Sequence, residues 1–180
     1  MSKSFNVIIT TVNRATLNNM IQSILPQLDH IDYLTIIVDS GDIKPELTEN
    51  AKCTVIWIKN SEPLGFFGHG SRNKWQRFLP GDFHMNGDDD DTFAENAMEI
   101  IRHNCKTPRL HIFKMVRNEV EIWGEKEIYY GNIGTPCGVY PPINLPDWNS
   151  VYSGDFEFYT ELSKRIGYVF INQVIYKVNS

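Results

Sequence analysis

No long apolar run occurs in this sequence. The first apolar segment, Phe5 to Thr10, is ended by Asn13 and Arg14. A membrane-crossing helix needs about 20 apolar residues and a secretory leader a core of about 7–15. Neither a membrane span nor a leader is expected, and a cytoplasmic location is the default. Cysteine is scarce too. Cys53, Cys105 and Cys137 are odd in number, far apart and form no CxxC pair. That excludes the usual zinc and dithiol patterns and fits free, buried thiols in a reducing compartment. Positive charge is also short: 17 Lys and Arg face 22 Asp and Glu, for a net charge of -5. With no basic stripe among aromatics, nucleic acid is not an expected partner. The glycine-rich segment Gly65-Phe66-Phe67-Gly68-His69-Gly70-Ser71-Arg72 lacks the lysine of a Walker loop. Its glycines suit a loop that approaches a ligand closely. Neither internal repeats nor low-complexity linkers are visible.

What is present describes one soluble domain. The 180 residues are 42% hydrophobic and 22% charged, enough for a sizeable core. Phe5 to Thr10, Tyr33 to Val38 and Cys53 to Ile58 read as buried strands, and Asp82 to Asn86 as a short fourth. Leu17, Met20, Ile21, Ile24 and Leu25 recur at helical spacing, and Pro26 should end that helix. Ser71 to Phe78 reads as a second helix, closed by Pro80-Gly81. Strands apolar on both faces, alternating with helices, imply an α/β sandwich with a mostly parallel central sheet. Ligands of such sheets bind at the carboxyl ends of the strands. Three polar clusters fall there: Thr11 to Arg14, Asp39 to Asp42 and Asp88 to Asp91.

The second half predicts a smaller antiparallel part. Leu110 to Arg117, Glu119 to Trp123 and Lys126 to Tyr130 read as strands. The glycines and prolines of Gly131 to Pro142 predict a long functional loop that is neither helix nor central strand. Ser153-Gly154-Asp155 opens an amphipathic helix that Gly167 stops, and Tyr168 to Val178 reads as a final strand.

The run Asp88-Asp89-Asp90-Asp91 is the strongest chemical signal. Adjacent carboxylates repel unless solvent or a cation neutralises them. Thr92-Phe93-Ala94-Glu95 reads as a capping box, which places the acids at a turn into a helix. Such acids can hold Mg2+ or Mn2+ against substrate phosphates, or simply suit a solvated helix N-terminus. An EF-hand is excluded, because the sixth position from Asn86 is Asp91 rather than glycine.

These pieces stand in an order that resembles the GT-A glycosyltransferases grouped as glycosyltransferase family 2. Phe5-Asn6-Val7-Ile8-Ile9-Thr10-Thr11-Val12-Asn13-Arg14 resembles the opening strand and nucleotide loop. Ile36-Ile37-Val38-Asp39-Ser40-Gly41-Asp42 resembles the second strand, whose acid contacts the base. Ser71-Arg72-Asn73 resembles the arginine–asparagine step, the acid run the metal-binding DxD, and Gly154-Asp155-Phe156-Glu157-Phe158 the late acidic motif.

The resemblance implies a single GT-A domain, with a nucleotide-binding half over 1–92 and an acceptor-side half over 93–180. It implies a metal-dependent, inverting transfer from a nucleotide sugar, a UDP-sugar first, to a glycan or other hydroxyl acceptor. Mn2+ or Mg2+ would be held by Asp90 with Asp88. Thr10, Thr11, Arg14, Asp39, His69, Arg72, Asp88 and Asp89 would contact the donor, with Arg72 at the pyrophosphate. Asp155 would be the base, with Glu157 as the alternative.

Each residue also has a plainer reading. Asp155 could cap its helix, Asp91 the helix after it, and Asp39 could form a turn. Arg14 could be a surface residue, Arg72 part of a helix salt bridge, and His69 a loop histidine. Trp123, Trp148, Tyr140 and Tyr152 could stack on sugars or pack in the core. The rival functions are a sugar-nucleotide nucleotidyltransferase and a non-catalytic nucleotide- or carbohydrate-binding module. The first expects glycines and a basic residue after strand one, which Thr11-Val12-Asn13-Arg14 lacks.

Overall fold

The computed structural model describes residues 2–122 and 126–179. Trp123, named above for stacking and as a strand end, lies outside them. In chain order the elements are β1 (Phe5–Thr11), α1 (Leu17–Ile24), β2 (Tyr33–Val38), β3 (Thr54–Lys59), α2 (His69–Trp75), β4 (Phe83–Asp88) and β5 (Thr92–Phe93). There follow α3 (Ala97–Asn104), β6 (Leu110–Arg117), β7 (Val120–Ile122), β8 (Gly138–Tyr140), α4 (Gly154–Ile166) and β9 (Tyr168–Val178). One curled sheet runs β3-β2-β1-β4-β8-β6-β9-β5, with β7 paired on β6. The strands from β3 to β4 are all parallel; β8 is antiparallel to both its neighbours, and β6 and β9 are parallel again. This is the expected α/β plan.

The parallel half follows from its sequence. All seven residues of β1 are buried, as a strand covered on both faces requires. Its polar member, Asn6, is satisfied: Thr35 Oγ1 donates to Asn6 Oδ1 at 2.9 Å, and Asn6 Nδ2 donates to the Pro80 carbonyl at 2.9 Å. From β1 the chain runs outward to β2 and β3, then returns so that β4 pairs on the other side of β1. The order therefore reverses at β1 and β4, where a crevice opens at their carboxyl ends. Register puts Thr10 beside Asp88, and Thr11 beside Val38, the residue before Asp39.

Three expectations need correction. Thr92 and Phe93 form β5 rather than a capping box, and α3 starts only at Ala97, with no side-chain cap of its own. Its cap comes from elsewhere in the chain: Gln27 Oε1 accepts from Met98 N at 3.1 Å, while Gln27 Nε2 donates to the Ala94 carbonyl at 2.8 Å. Lys126 to Tyr130 forms no strand. The expected loop after Gly131 contains β8, a central strand between β4 and β6. Pro136 precedes this strand and Pro141 follows it, so neither removes a ladder donor.

Gly138 in β8 lets the Tyr159 ring lie directly on the sheet. A methyl group there would stand 2.1 Å from a Tyr159 ring carbon. Gly138→Ala is expected to destabilise the fold by about 1–3 kcal/mol through overpacking. A urea melt reads this, and an unchanged midpoint would contradict the packing described. The same core claims two of the aromatics considered for sugar stacking. Trp148 is buried, stacks on Phe158 at 3.9 Å and donates its indole N–H to Gln76 Oε1 at 2.9 Å. Tyr140 is buried, and its hydroxyl accepts from Asn86 Nδ2 at 2.8 Å. The three cysteines are free and buried.

Candidate active site

A cavity of about 700 Å³ opens at the β1–β4 switch point. Its floor carries Thr10, Thr11, Asp39 and the acid turn, and its far wall carries His69, Thr135 and Asp155. Of the expected site residues, all but Arg72 line it. The elements that bring them together are far apart in sequence.

The acids alternate in environment. Asp89 turns inward: Oδ2 accepts from Thr11 Oγ1 at 2.6 Å and from Val12 N at 3.2 Å, fixing the β1 loop to the acid turn. Asp91 is also buried and accepts from Asn179 N at 2.8 Å, so it caps no helix. Burial raises the Asp91 carboxyl to about 6, helped by the charges of Asp88 and Asp90. Asp88 and Asp90, two residues apart, keep part of their carboxylates in the cavity. Tyr176 in β9 pins the turn, its hydroxyl accepting from Asp88 N at 2.9 Å.

Arg72 corrects an expectation. Its side chain is 0% exposed and does not reach the cavity, so it cannot touch a pyrophosphate there. It lies behind the site, where Nη2 donates to Asp88 Oδ1 at 2.8 Å and to Thr10 Oγ1 at 3.1 Å, and Nη1 to the Phe67 carbonyl at 2.9 Å. It orients Asp88. Arg14 lies on the solvent side, with Nη1 at 2.8 Å from both Asp89 Oδ1 and Asp90 Oδ2.

Asp39 organises a loop. Its Oδ1 accepts from Asn60 Nδ2, Ser71 Oγ and Leu64 N, each at 2.9 Å, and its Oδ2 from Gly65 N at 3.0 Å. Burial pushes its carboxyl up, but these four donors outweigh that and hold it below the usual range. The loop it anchors is unusual: Gly65, Phe66, Phe67 and Gly68 all have positive φ. Gly68 is required there, because a Cβ would sit 2.3 Å from Thr10 Oγ1. Phe67 is held left-handed and 71% exposed at the cavity rim, edge-on to Tyr152, which is 81% exposed. Tyr152 is thus the one described aromatic among those considered that remains open to a ligand.

Asp155 stands at the start of α4, after Gly154, whose missing Cβ leaves room for the His69 ring and the Asn149 carbonyl. Burial raises the Asp155 carboxyl to about 6, with the nearby Asp88 charge adding to the rise. Glu157 does not line the cavity, and its carboxylate accepts from Asn149 Nδ2 and Ser153 Oγ. His69 Nδ1 donates to the Asn149 carbonyl at 2.8 Å; burial and then Arg72 lower its pKa, so it is neutral. Sequence reasoning missed Tyr176, the cavity-lining Arg117 and the rim pair Tyr130 and Phe156. Arg117 carried a signal, as a charged residue ending a buried strand.

A divalent cation fits part of this donor set. Among the described residues, no three His, Cys, Asp or Glu are placed to hold a metal by themselves. Asp88 and Asp90 supply hard carboxylate oxygens, and Mg2+ or Mn2+ keeps waters and takes phosphate oxygens for the remainder. The arrangement suits a cation shared with a phosphorylated ligand rather than a resident protein-only site.

No family model matches the sequence, and no curated protein does. Solved structures do. S. aureus TarS 1–349 aligns with TM-score 0.76 at 15% identity, over 98% of this chain and 60% of that one. The same protein in complex with UDP-GlcNAc gives 0.73 at 15%, over 98% and 58%. The mannosyltransferase PcManGT from Pyrobaculum calidifontis, in complex with GDP-Man and Mn2+, gives 0.73 at 13% identity, over 99% and 57%. The chain spans about 60% of the first of these structures and slightly less of the others. No described helix is long and apolar enough to cross a membrane. The chain shares a GT-A-like fold with these structures.

Proposed function

We propose that the chain is a metal-dependent glycosyltransferase that moves a sugar from a nucleoside-diphosphate sugar, UDP first, to a hydroxyl acceptor with inversion. One observation carries the reading: Asp39, the acid turn with Asp88 and Asp90, and Asp155 come from three separate segments yet line one cavity at the switch point of the sheet. Fold likeness alone would not carry it, since a fold hosts many functions. The solved relatives in complex with UDP-GlcNAc and with GDP-Man and Mn2+ add support.

In this mechanism Asp39 and the Thr10–Thr11 loop receive the nucleotide. Asp90 with Asp88 would hold the divalent cation, which would supply charge neutralisation for the leaving diphosphate. Arg72 fixes the direction of the Asp88 carboxylate from behind. Asp155 takes the proton of the acceptor hydroxyl at its free carboxylate oxygen, since Oδ1 already accepts from Phe156 N at 2.7 Å. Its raised pKa makes it a competent base near neutral pH. Neutral His69 shapes the wall beside it without adding charge. The 93–180 half supplies the acceptor side, through the segment from Gly131 to Pro136 and the start of α4.

The test is a donor assay. Purified protein with Mn2+ and a panel of UDP- and GDP-sugars should release nucleoside diphosphate slowly by hydrolysis, and faster with a matching acceptor. Binding without release from any donor would mark a non-catalytic module and end the enzymatic reading.

A further inference from the structure

The acid turn is neutralised from two sides. Arg72, fully buried, serves Asp88 from within. Arg14 serves Asp89 and Asp90 from solvent, and it does so with a single nitrogen, Nη1, placed 2.8 Å from Asp89 Oδ1 and 2.8 Å from Asp90 Oδ2. The rest of its guanidinium makes no hydrogen bond among the described residues. A guanidinium offers five donors in a planar fork, so most of that capacity is idle. The Arg14 side chain is 51% exposed and that of Asp90 33%, whereas that of Asp89 is 4% exposed and tied to Thr11 and Val12. Exposed ion pairs are weak and readily exchanged. The Arg14–Asp90 contact is therefore the labile member of this network, and it sits on the carboxylate assigned to the metal.

We propose that Arg14 is an exchangeable counter-ion: it holds Asp90 while the turn lacks a divalent cation, and moves to the diphosphate when one binds. The proposal rests on the reading of the cavity as a metal-dependent diphosphate site. A cation arriving alone must displace Arg14 and leave its charge without a partner. A cation arriving with a diphosphate offers that guanidinium a planar oxyanion, the partner for which its fork is best suited. Cation and diphosphate should consequently strengthen each other's binding, by the same factor in both directions.

The experiment uses Mn2+ as the probe. Its free aqua ion is counted by electron paramagnetic resonance, with and without inorganic pyrophosphate, for the wild type, Arg14→Gln and Arg117→Gln. Arg117 lines the same cavity and makes no side-chain bond among the described residues, so its variant reports the general effect of removing one positive charge. Without pyrophosphate, Arg14→Gln should bind Mn2+ about 10-fold more tightly than wild type, and Arg117→Gln about 2-fold at most. Pyrophosphate should tighten Mn2+ binding by about 5–150-fold in wild type, a typical coupling range, and markedly less in Arg14→Gln. Arg14→Lys, which keeps the charge but loses the fork, should fall between. A thermal melt confirms that each variant is folded.

Equal Mn2+ affinities for Arg14→Gln and Arg117→Gln would overturn the exchange, leaving only the field of one charge. Weaker Mn2+ binding by Arg14→Gln alone would overturn it as well. Loss of pyrophosphate binding with unchanged Mn2+ affinity would make Arg14 a simple anion ligand. A wild type that takes up neither Mn2+ nor pyrophosphate is a different failure: the reading of the cavity falls first, and this proposal with it.

Discussion

Asp155→Asn should lower the rate of glycosyl transfer by about 10²–10⁴-fold, the usual contribution of a positioned base, while nucleotide affinity stays within about 2-fold. The asparagine keeps the shape of the side chain and loses only its ability to take a proton. In wild type the rate should rise with pH through about 6 and level off above it, because Asp155 must be ionised to act. The assay contains Mn2+, and a cation beside Asp88 would cancel the charge that helps raise this pKa, so the rise should fall at or somewhat below that value. The same substitution should affect stability in the opposite sense. A carboxyl whose folded pKa lies near 6, against about 3.9 in the unfolded chain, binds its proton more tightly when folded. Its contribution favours folding below about pH 4 and is lost as pH rises through 6. Asp155→Asn is therefore expected to be more stable than wild type at pH 7.5, by about 1–3 kcal/mol at most, with the gain vanishing towards pH 4. Urea melts at the two pH values read this. Equal loss of transfer and of nucleotide binding would sink the role of base.

The second large effect falls on Asp90. Asp90→Ala should remove most of the Mn2+-dependent binding of nucleotide and reduce transfer by two orders of magnitude or more, in line with the several kcal/mol that a metal contributes as charge stabiliser. Fold stability should change little, because Asp90 is partly exposed and its Oδ2 meets only the labile Arg14. This separates it from Asp89, whose inward bonds to Thr11 and Val12 make Asp89→Ala a change in loop architecture. Titration of nucleotide with and without Mn2+ on both variants checks the difference. Wild-type Mn2+ dependence in Asp90→Ala would move the ligand role elsewhere.

Local signals carried much of this molecule. The apolar runs Tyr33 to Val38 and Leu110 to Arg117, and the final strand Tyr168 to Val178, have the ends read from the sequence, and Gly167 ends α4. Polar clusters directly after buried strands located the cavity, because parallel sheets open at their carboxyl ends. What could not be read locally depends on partners far along the chain. Gln27 caps α3 from about 70 residues away, so the apparent capping box at Thr92 had no helix to cap. Gly138-Val139-Tyr140 became a central strand because Tyr159 could lie on a glycine. Arg72 looked like a phosphate ligand by its position in sequence, yet the fold places it behind Asp88 and beneath Phe67. Tyr176 gave no signal at all, since its hydroxyl meets the acid turn only after β9 is threaded beside β6.

The raised carboxyl of Asp155 and the left-handed Phe67 belong to the same pattern. Each is unfavourable locally, and each lies at the cavity or its rim. Strained backbone and perturbed acids concentrate where function imposes them.

The most direct measurement is the melting temperature of the protein with UDP and Mn2+ added separately and together at millimolar concentration. Together, at about 100 times the dissociation constant, they should stabilise the native state by about 2.7 kcal/mol, a rise of about 5–10 °C for a chain of this size. Each alone should give far less. No shift with the pair, or with GDP in place of UDP, would contradict the assignment of this cavity to a metal-bound nucleoside diphosphate.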